Sequence, residues 1–401
     1  MDGNSSSTER RLKVRYLFGV EQEPLENVTV AVRDGIAVNV EDAAHDVDLG
    51  NVAIIPGLVN AHTHLEFSTL DDPLLGEDST SFSDWIRAVL KWRSQRDADA
   101  PESHQIAIAQ GLAESHKHGT TLMGEIATQP FWPEIYQATD LNGVRFLELI
   151  GLSSDRIDDQ VRQATEYLGG AGESPPGWQA GLSPHAPYTV GWRLLNEVVQ
   201  ISRRLRAPVA MHLAETFDEL QLLSAHSGPL VELLSERGVW DPSAIPRGVE
   251  PVAYLELLSQ AHRALVIHGN YLQHPEWEFL AKHRERLTVV YCPRTFAYFG
   301  HRQYPLEEML HHGVHVAVGT DSRASNPDLD LFAELKFIRQ QHPDVDLETI
   351  LRLGTKNGAD ALGFGALVRP MALVALPDAD SLDPYELLFD VESQIIVHGN
   401  A

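Results

Sequence analysis

The stretch VAIIPGLVNAHTHLE, residues 52–66, is an apolar run that ends in a histidine pair, His62 and His64. Seven further short apolar runs follow: TTLMGE (120–125), VRFLELIGL (144–152), QAGLSPH (179–185), PVAMHLAE (208–215), ALVIHGN (264–270), LTVVYCP (287–293) and VHVAVGTD (314–321). Amphipathic helical patterns lie between them, such as FSDWIRAVLKW (82–92) and WRLLNEVVQISRRL (192–205). Eight alternations of strand and helix over about 300 residues predict an α/β fold, a (β/α)8 TIM barrel over 56–365.

Outward from the barrel the pattern changes. Residues 10–55 alternate apolar and polar positions in short runs (LKVRYLFGV, VTVAVR, IAVNV) broken by turns such as Asp34-Gly35. This is the period of β-strands. The segment 366–401 is strand-like again (ALVRPMALVALPDAD, SQIIVHGNA). A small β domain built from both chain ends, 10–55 plus 366–401, is expected beside the barrel. Residues 1–9 are Ser-rich and polar and read as a disordered tail.

Composition narrows the function classes. Of 401 residues, 31 are Lys or Arg and 57 are Asp or Glu, a formal net charge of −26. Such a balance argues against nucleic acid and anionic membranes, whose phosphates need a cationic face. With 43% hydrophobic residues the chain can bury a large core. No run of about 18 apolar residues occurs, so no bilayer span is expected. The first residues, MDGNSSSTERRLKV, contain no apolar stretch of leader length, and Cys292 is the single cysteine. Together these predict a soluble cytoplasmic protein acting on a small molecule, with homo-oligomerisation left open.

Chemistry gathers at the ends of the apolar runs. His62 and His64 end the first, His185 the fourth, His212 and Glu215 the fifth, His268 the sixth and Asp321 the eighth. In a barrel these C-terminal strand ends share one mouth. Residues i and i+2 of a strand point the same way, so His62 and His64 can reach one ion. With His212 and Asp321 at matching ends they predict one divalent metal, zinc first and iron second. A second HxH, His116-Lys117-His118, follows a helical pattern and precedes Gly119; on a helix its rings diverge. Hydrolysis at a heteroaromatic carbon by an activated water also needs an acid for the ring nitrogen, and Glu215 fits. Asp321 can both ligate and take the proton of the water. His268 fits a group that orients this water, and His185 a substrate contact.

The motifs PGLVNAHTHLE (56–66), SPHAPYT (183–189), MHLAET (211–216), IHGN (267–270), CPRT (292–295) and GTDSRASN (319–326) occur in this order. Together they resemble the amidohydrolase superfamily, in its aminohydrolase and chlorohydrolase branch. That branch includes adenosine-type, cytosine and S-adenosylhomocysteine deaminases and triazine chlorohydrolases. The resemblance implies a mononuclear site: His62, His64, His212 and Asp321 on one metal, with Glu215, His268 and Asp321 catalytic. Relatives with two metals carry a bridging carboxylated lysine where this chain has His185. HTHLEFS, FSDWIRAVLKWR and YCPRTFAYFGH are most similar to the group containing aminodeoxyfutalosine deaminases, whose substrate bears an adenine base on a ribose. Where many relatives have an NPxSN loop, this chain has Cys292-Pro293-Arg294-Thr295. The expected reaction is hydrolytic deamination of a purine-type base with release of ammonia. Alternatives are a triazine-type chlorohydrolase, a deaminase of another nucleobase or nucleoside (adenosine, S-adenosylhomocysteine, guanine), and a catalytically dead binding protein. Expected substrate contacts, besides His185, are Glu66, Trp85, Glu125 and Glu148, with Phe299 and His301 closing the pocket.

Overall fold

The computed structural model describes residues 10–396 except 21, 34–35, 40–43, 76–80, 100–101, 130, 171–173, 366–370 and 380–382, with backbone alone for 36–39 and 97–99. The expected tail 1–9 and the Asp34-Gly35 turn lie outside the described residues.

Eight parallel strands follow one another around the barrel: β1 (Leu58–Thr63), β2 (Thr120–Ala127), β3 (Asn142–Leu149), β4 (Trp178–Pro184), β5 (Val209–Leu213), β6 (Ala264–His268), β7 (Leu287–Tyr291) and β8 (Val316–Val318). They fall on the eight apolar runs of the sequence. The first run holds two strands, not one. Pro56-Gly57 interrupts it, and Val52–Pro56 pairs antiparallel with Met371–Ala375 in a separate sheet. Among the described residues that sheet has seven strands and includes Arg10–Leu17 near one chain end and Gln394–Ile396 near the other.

The helices take the expected periodicity. Trp192–Leu205 buries Leu194, Leu195, Val198, Val199, Ile201 and Ser202 along one face, spaced for a 3.6-residue turn. Ser103–Lys117 ends at His118, whose Nδ1 sits 3.0 Å from Asp330. His116 is exposed, so the second HxH pair serves the end of a helix. Among the described residues no helix is long and apolar enough to cross a membrane.

The seam between β8 and β1 closes the barrel and places the first ligand candidates. Thr63 bridges Asp321, and the Asp321 amide donates to the His62 carbonyl at 3.0 Å. Below it the Asn60 side chain completes the ladder. Its Nδ2 donates to Thr320 Oγ1 (2.8 Å) and its Oδ1 accepts from the Thr320 amide (3.0 Å). Gly319 lies in this seam because a Cβ there would come within 2.8 Å of His62 Cβ and 2.9 Å of its backbone. Gly319→Ala should therefore push the β1 end aside. The expected loss is about 1–3 kcal/mol of stability, read as a lower thermal midpoint together with reduced metal content.

Candidate active site

Five side chains from four strand ends meet at the barrel mouth. His62 Nε2 lies 3.5 Å from Asp321 Oδ1, His64 Nε2 3.8 Å from the same oxygen, and His64 Nε2 3.3 Å from His212 Nε2. Donor atoms of His62, His64 and His212 lie within 4.8 Å of one another, and so do those of His62, His268 and Asp321. A tetrahedral site with bonds of about 2.0–2.1 Å puts neighbouring ligand atoms about 3.3–3.4 Å apart. The observed separations sit at or just above that spacing. Glu215 Oε1 is 3.5 Å from His268 Nε2, at the edge of the cluster.

The donor chemistry fits a cation. Both ring nitrogens of His62 and Nδ1 of His64 are buried with no hydrogen-bond partner among the described residues. Such orphaned atoms cost free energy unless something else satisfies them. His212 Nδ1 is 2.9 Å from the His185 carbonyl, which can only accept, so Nδ1 carries the proton and Nε2 presents its lone pair to the cluster. Burial pushes His62 down to about 3. Burial and neighbouring imidazoles hold His64 and His212 well below the usual range. All three are thus neutral at pH 7, the form that ligates. Asp321 Oδ2 is steadied by the Ser325 hydroxyl at 3.3 Å. Burial raises the Asp321 carboxyl, and His268 and His212 draw it back.

Three mouth residues sit in the left-handed region without being glycine: Ala214 (φ 53°), His268 (φ 67°) and Asp321 (φ 61°). Each costs of order 1–3 kcal/mol and persists only where its surroundings impose it. Here the anchors are visible. Buried Glu219 accepts the Ala214 amide (2.8 Å) and the Glu215 amide (3.2 Å), while Asn270 Nδ2 donates to the Glu215 carbonyl (2.9 Å). Tyr304 donates to the His268 carbonyl at 2.9 Å. Burial, with the charges of Asp321 and Glu219, holds the Glu215 carboxyl well above its usual range, which favours the protonated form. Removing the anchor by Glu219→Ala should lower kcat by about tenfold while metal content holds, since the unpaired amides cost about 1–3 kcal/mol. Turnover and metal analysis on the same sample check it.

A cavity of about 300 Å³ opens onto this cluster. His64, His212, Glu215, His268 and Asp321 line its inner end, and so do three of the expected substrate contacts: His185, Trp85 and Glu148. His185 Nδ1 is 2.7 Å from Thr189 Oγ1, and the Trp85 indole N–H donates to the Ala324 carbonyl at 2.9 Å.

The other two expected contacts are elsewhere. Glu66 is buried behind the wall, its oxygens 2.5 Å from Arg93 and 2.6 Å from Arg96. Glu125 accepts from Thr63 Oγ1 (2.5 Å) and the Leu65 amide (3.0 Å), bracing the turn after the HxH pair. Neither lines the cavity, and these internal donors satisfy both. Phe299 and His301 line a neighbouring cleft; Phe299 touches the cavity wall only edge-on, through Phe82 and Trp85.

Sequence reading missed Arg93, which lines the cavity between Glu66 and Glu148, 3.9 Å from the latter. The signal was present: Ile86, Val89, Leu90 and Arg93 are spaced i, i+3, i+4, i+7 on one helix face, and all four line the cavity. Glu219 was legible as the end of Thr-x-x-Glu, a helix-start pattern, with Thr216 Oγ1 accepting the Glu219 amide at 3.2 Å.

The family model for amidohydrolases matches residues 53–368. The chain belongs to the amidohydrolase family. Among curated relatives of this amidohydrolase, a 5-methylthioadenosine/S-adenosylhomocysteine deaminase of Carboxydothermus hydrogenoformans is 26% identical over 341 residues, 82% of this chain and 72% of the relative. An aminodeoxyfutalosine deaminase of Deinococcus radiodurans is 29% identical over 334 residues, 77% of this chain and 73% of the relative. Among solved structures, the aminofutalosine deaminase of Helicobacter pylori in complex with methylthio-coformycin superposes with a TM-score of 0.79 at 21% identity, covering 96% of this chain and 97% of that one. At that identity the likeness is one of fold.

Proposed function

We propose that this amidohydrolase is a metal-dependent deaminase of an adenine-type nucleoside, exchanging the exocyclic amine for oxygen and releasing ammonia. One observation carries the reading. A cluster of buried imidazoles and one carboxylate lies beside the buried carboxyl of Glu215, whose burial favours the protonated form, at the inner end of a single cavity. Water must lose a proton while the ring nitrogen gains one, and these are the two groups that reaction needs. Both curated relatives described above are named for deamination. Aminodeoxyfutalosine, which bears an adenine base on ribose, is the leading candidate substrate.

His62, His64, His212 and Asp321 would hold one divalent ion; zinc suits their donor set, and iron is second. The bound ion would supply Lewis acidity, lowering the pKa of a water at the site. The residues do the rest. Asp321 takes the proton of the attacking water. His268, fixed through its backbone by Tyr304, orients that water toward C6 of the ring. Glu215 gives its proton to the adjacent ring nitrogen, so the ring accepts the new C–O bond without building a full negative charge. The proton on Asp321 then passes to the amine, the C–N bond breaks as the new hydroxyl becomes a carbonyl and returns its proton to Glu215, and ammonia leaves. His185 and Glu148 bind the nucleoside's polar groups, and Trp85 offers an aromatic face.

The test is the ultraviolet change from adenine to hypoxanthine for metal-loaded protein with aminodeoxyfutalosine, methylthioadenosine, S-adenosylhomocysteine and adenosine, beside guanine, cytosine and a chlorotriazine. Turnover of adenine nucleosides is expected. Turnover of the chlorotriazine with all adenine nucleosides inert would replace this reading by a chlorohydrolase.

A further inference from the structure

The turn after β7 reads Cys292-Pro293-Arg294-Thr295 and opens the helix Pro293–Tyr298. Neither Arg294 nor Thr295 lines the cavity. Yet two chains of buried hydrogen bonds lead from them to Asp321, at the end of the neighbouring strand.

The first chain begins at Thr295. Its Oγ1 lies 3.0 Å from Ser325 Oγ, which lies 3.3 Å from Asp321 Oδ2. A carboxylate only accepts, so Ser325 spends its one proton there, and its oxygen accepts from Thr295. The chain therefore runs in one direction, and each donor strengthens the next. Asp321 Oδ2 is occupied in this way, while Oδ1 is the oxygen that faces His62 and His64.

The second chain begins at Arg294. Its Nε and its amide donate to the two oxygens of Glu334 at 2.6 and 2.9 Å, and its Nη2 donates to Asp328 at 2.6 Å. Glu334 Oε1 also accepts from Asn326 Nδ2 at 2.6 Å, and the same Nδ2 donates to the Thr320 carbonyl at 2.7 Å. Glu334, Asn326 and Thr320 are fully buried. The Thr320 amide is held in turn by Asn60, so the residue before Asp321 is fixed through both its amide and its carbonyl. The left-handed turn at Asp321 follows directly. A buried ion pair contributes little net stability, because desolvation offsets the attraction. What the Arg294–Glu334 pair supplies here is a fixed place for Asn326.

We propose that Arg294 and Thr295 are positioning residues for Asp321. Arg294, through Glu334, Asn326 and Thr320, fixes its backbone. Thr295, through Ser325, reserves Oδ2, so that a single oxygen, Oδ1, is presented to the ion. The inference rests on the reading of Asp321 as a metal ligand. The turn after β7, which contributes none of the clustered side chains, thus decides how the end of β8 ligates.

The test is Thr295→Val, which removes the hydroxyl at similar volume, with Thr295→Ser as the conservative variant. Three quantities are measured on each. They are zinc affinity by competition with a chelating dye, the visible spectrum of the cobalt(II)-substituted protein, which reports coordination geometry, and steady-state kinetics on an adenine nucleoside. Thr295→Val should bind zinc about tenfold more weakly, show an altered cobalt spectrum and lose about tenfold in kcat at unchanged KM. Thr295→Ser should restore all three. Arg294→Lys, which keeps a charge beside Glu334 without the guanidinium fork, should show the same losses. Wild-type zinc affinity and cobalt spectrum in Thr295→Val would overturn the proposal, even with a lowered thermal midpoint, since that is a structural role alone. The same result in folded Arg294→Lys would remove Arg294 from it; if that variant does not fold, Thr295→Val decides. If the wild type deaminates no nucleoside, the functional reading fails, and affinity and spectrum still judge the positioning.

Discussion

Glu215→Gln should leave a folded, metal-loaded protein that deaminates about 10²–10⁴-fold more slowly. The amide is nearly isosteric with the acid, so the anchors on the Ala214–Glu215 backbone, namely Glu219 and Asn270, are untouched. It cannot supply the proton that the ring nitrogen needs. The loss should fall on kcat, because the proton moves in the transition state and not in the bound ground state. Metal analysis and steady-state kinetics on one preparation are sufficient. A variant that keeps wild-type kcat would remove Glu215 from the role of acid.

His212→Ala should lose metal and activity together. His212 Nε2 faces His64 Nε2 at 3.3 Å, and its Nδ1 is tied to the His185 carbonyl. Its imidazole is therefore aimed into the cluster before any ion arrives. Removing a supporting residue around a metal costs about 10–100-fold in affinity; removing a ligand should cost more, so the ion content of dialysed protein should drop well below wild type. The backbone reason to expect survival of the fold is that His212 stands at the end of β5, where its amide still donates to His185. Unaltered ion content would end its assignment as a ligand. Ion content lost with activity retained would end the metal-dependent account.

The barrel was readable because a buried parallel strand leaves a distinctive trace, a short continuous apolar run between helical patterns. The site was readable for a related reason. His62, His212, His268 and Asp321 each close such a run, and the topology carries run ends to one mouth. What sequence could not resolve is where a buried polar side chain spends its hydrogen bonds. Glu66 and Glu125 sit near strand ends just as Glu148 does, yet Arg93, Arg96, Thr63 and the Leu65 amide claim the first two. That outcome depends on partners roughly 30 and 60 residues distant in the chain, whose rotamers no local pattern reveals. The break at Pro56-Gly57, by contrast, was present in the sequence and lies at the expected boundary between residues 55 and 56, although the apolar run continues on both sides of it.

One ion held by His62, His64, His212 and Asp321 is expected to support hydrolytic deamination, with Glu215 as acid. The most direct measurement is ammonia release on an adenine nucleoside from stripped protein, titrated back with zinc. Activity should rise from near zero and level off at one equivalent of ion per chain, with one ammonia formed for each hypoxanthine product. Full activity in stripped protein, or no ammonia from any adenine nucleoside at saturating ion, would contradict the account.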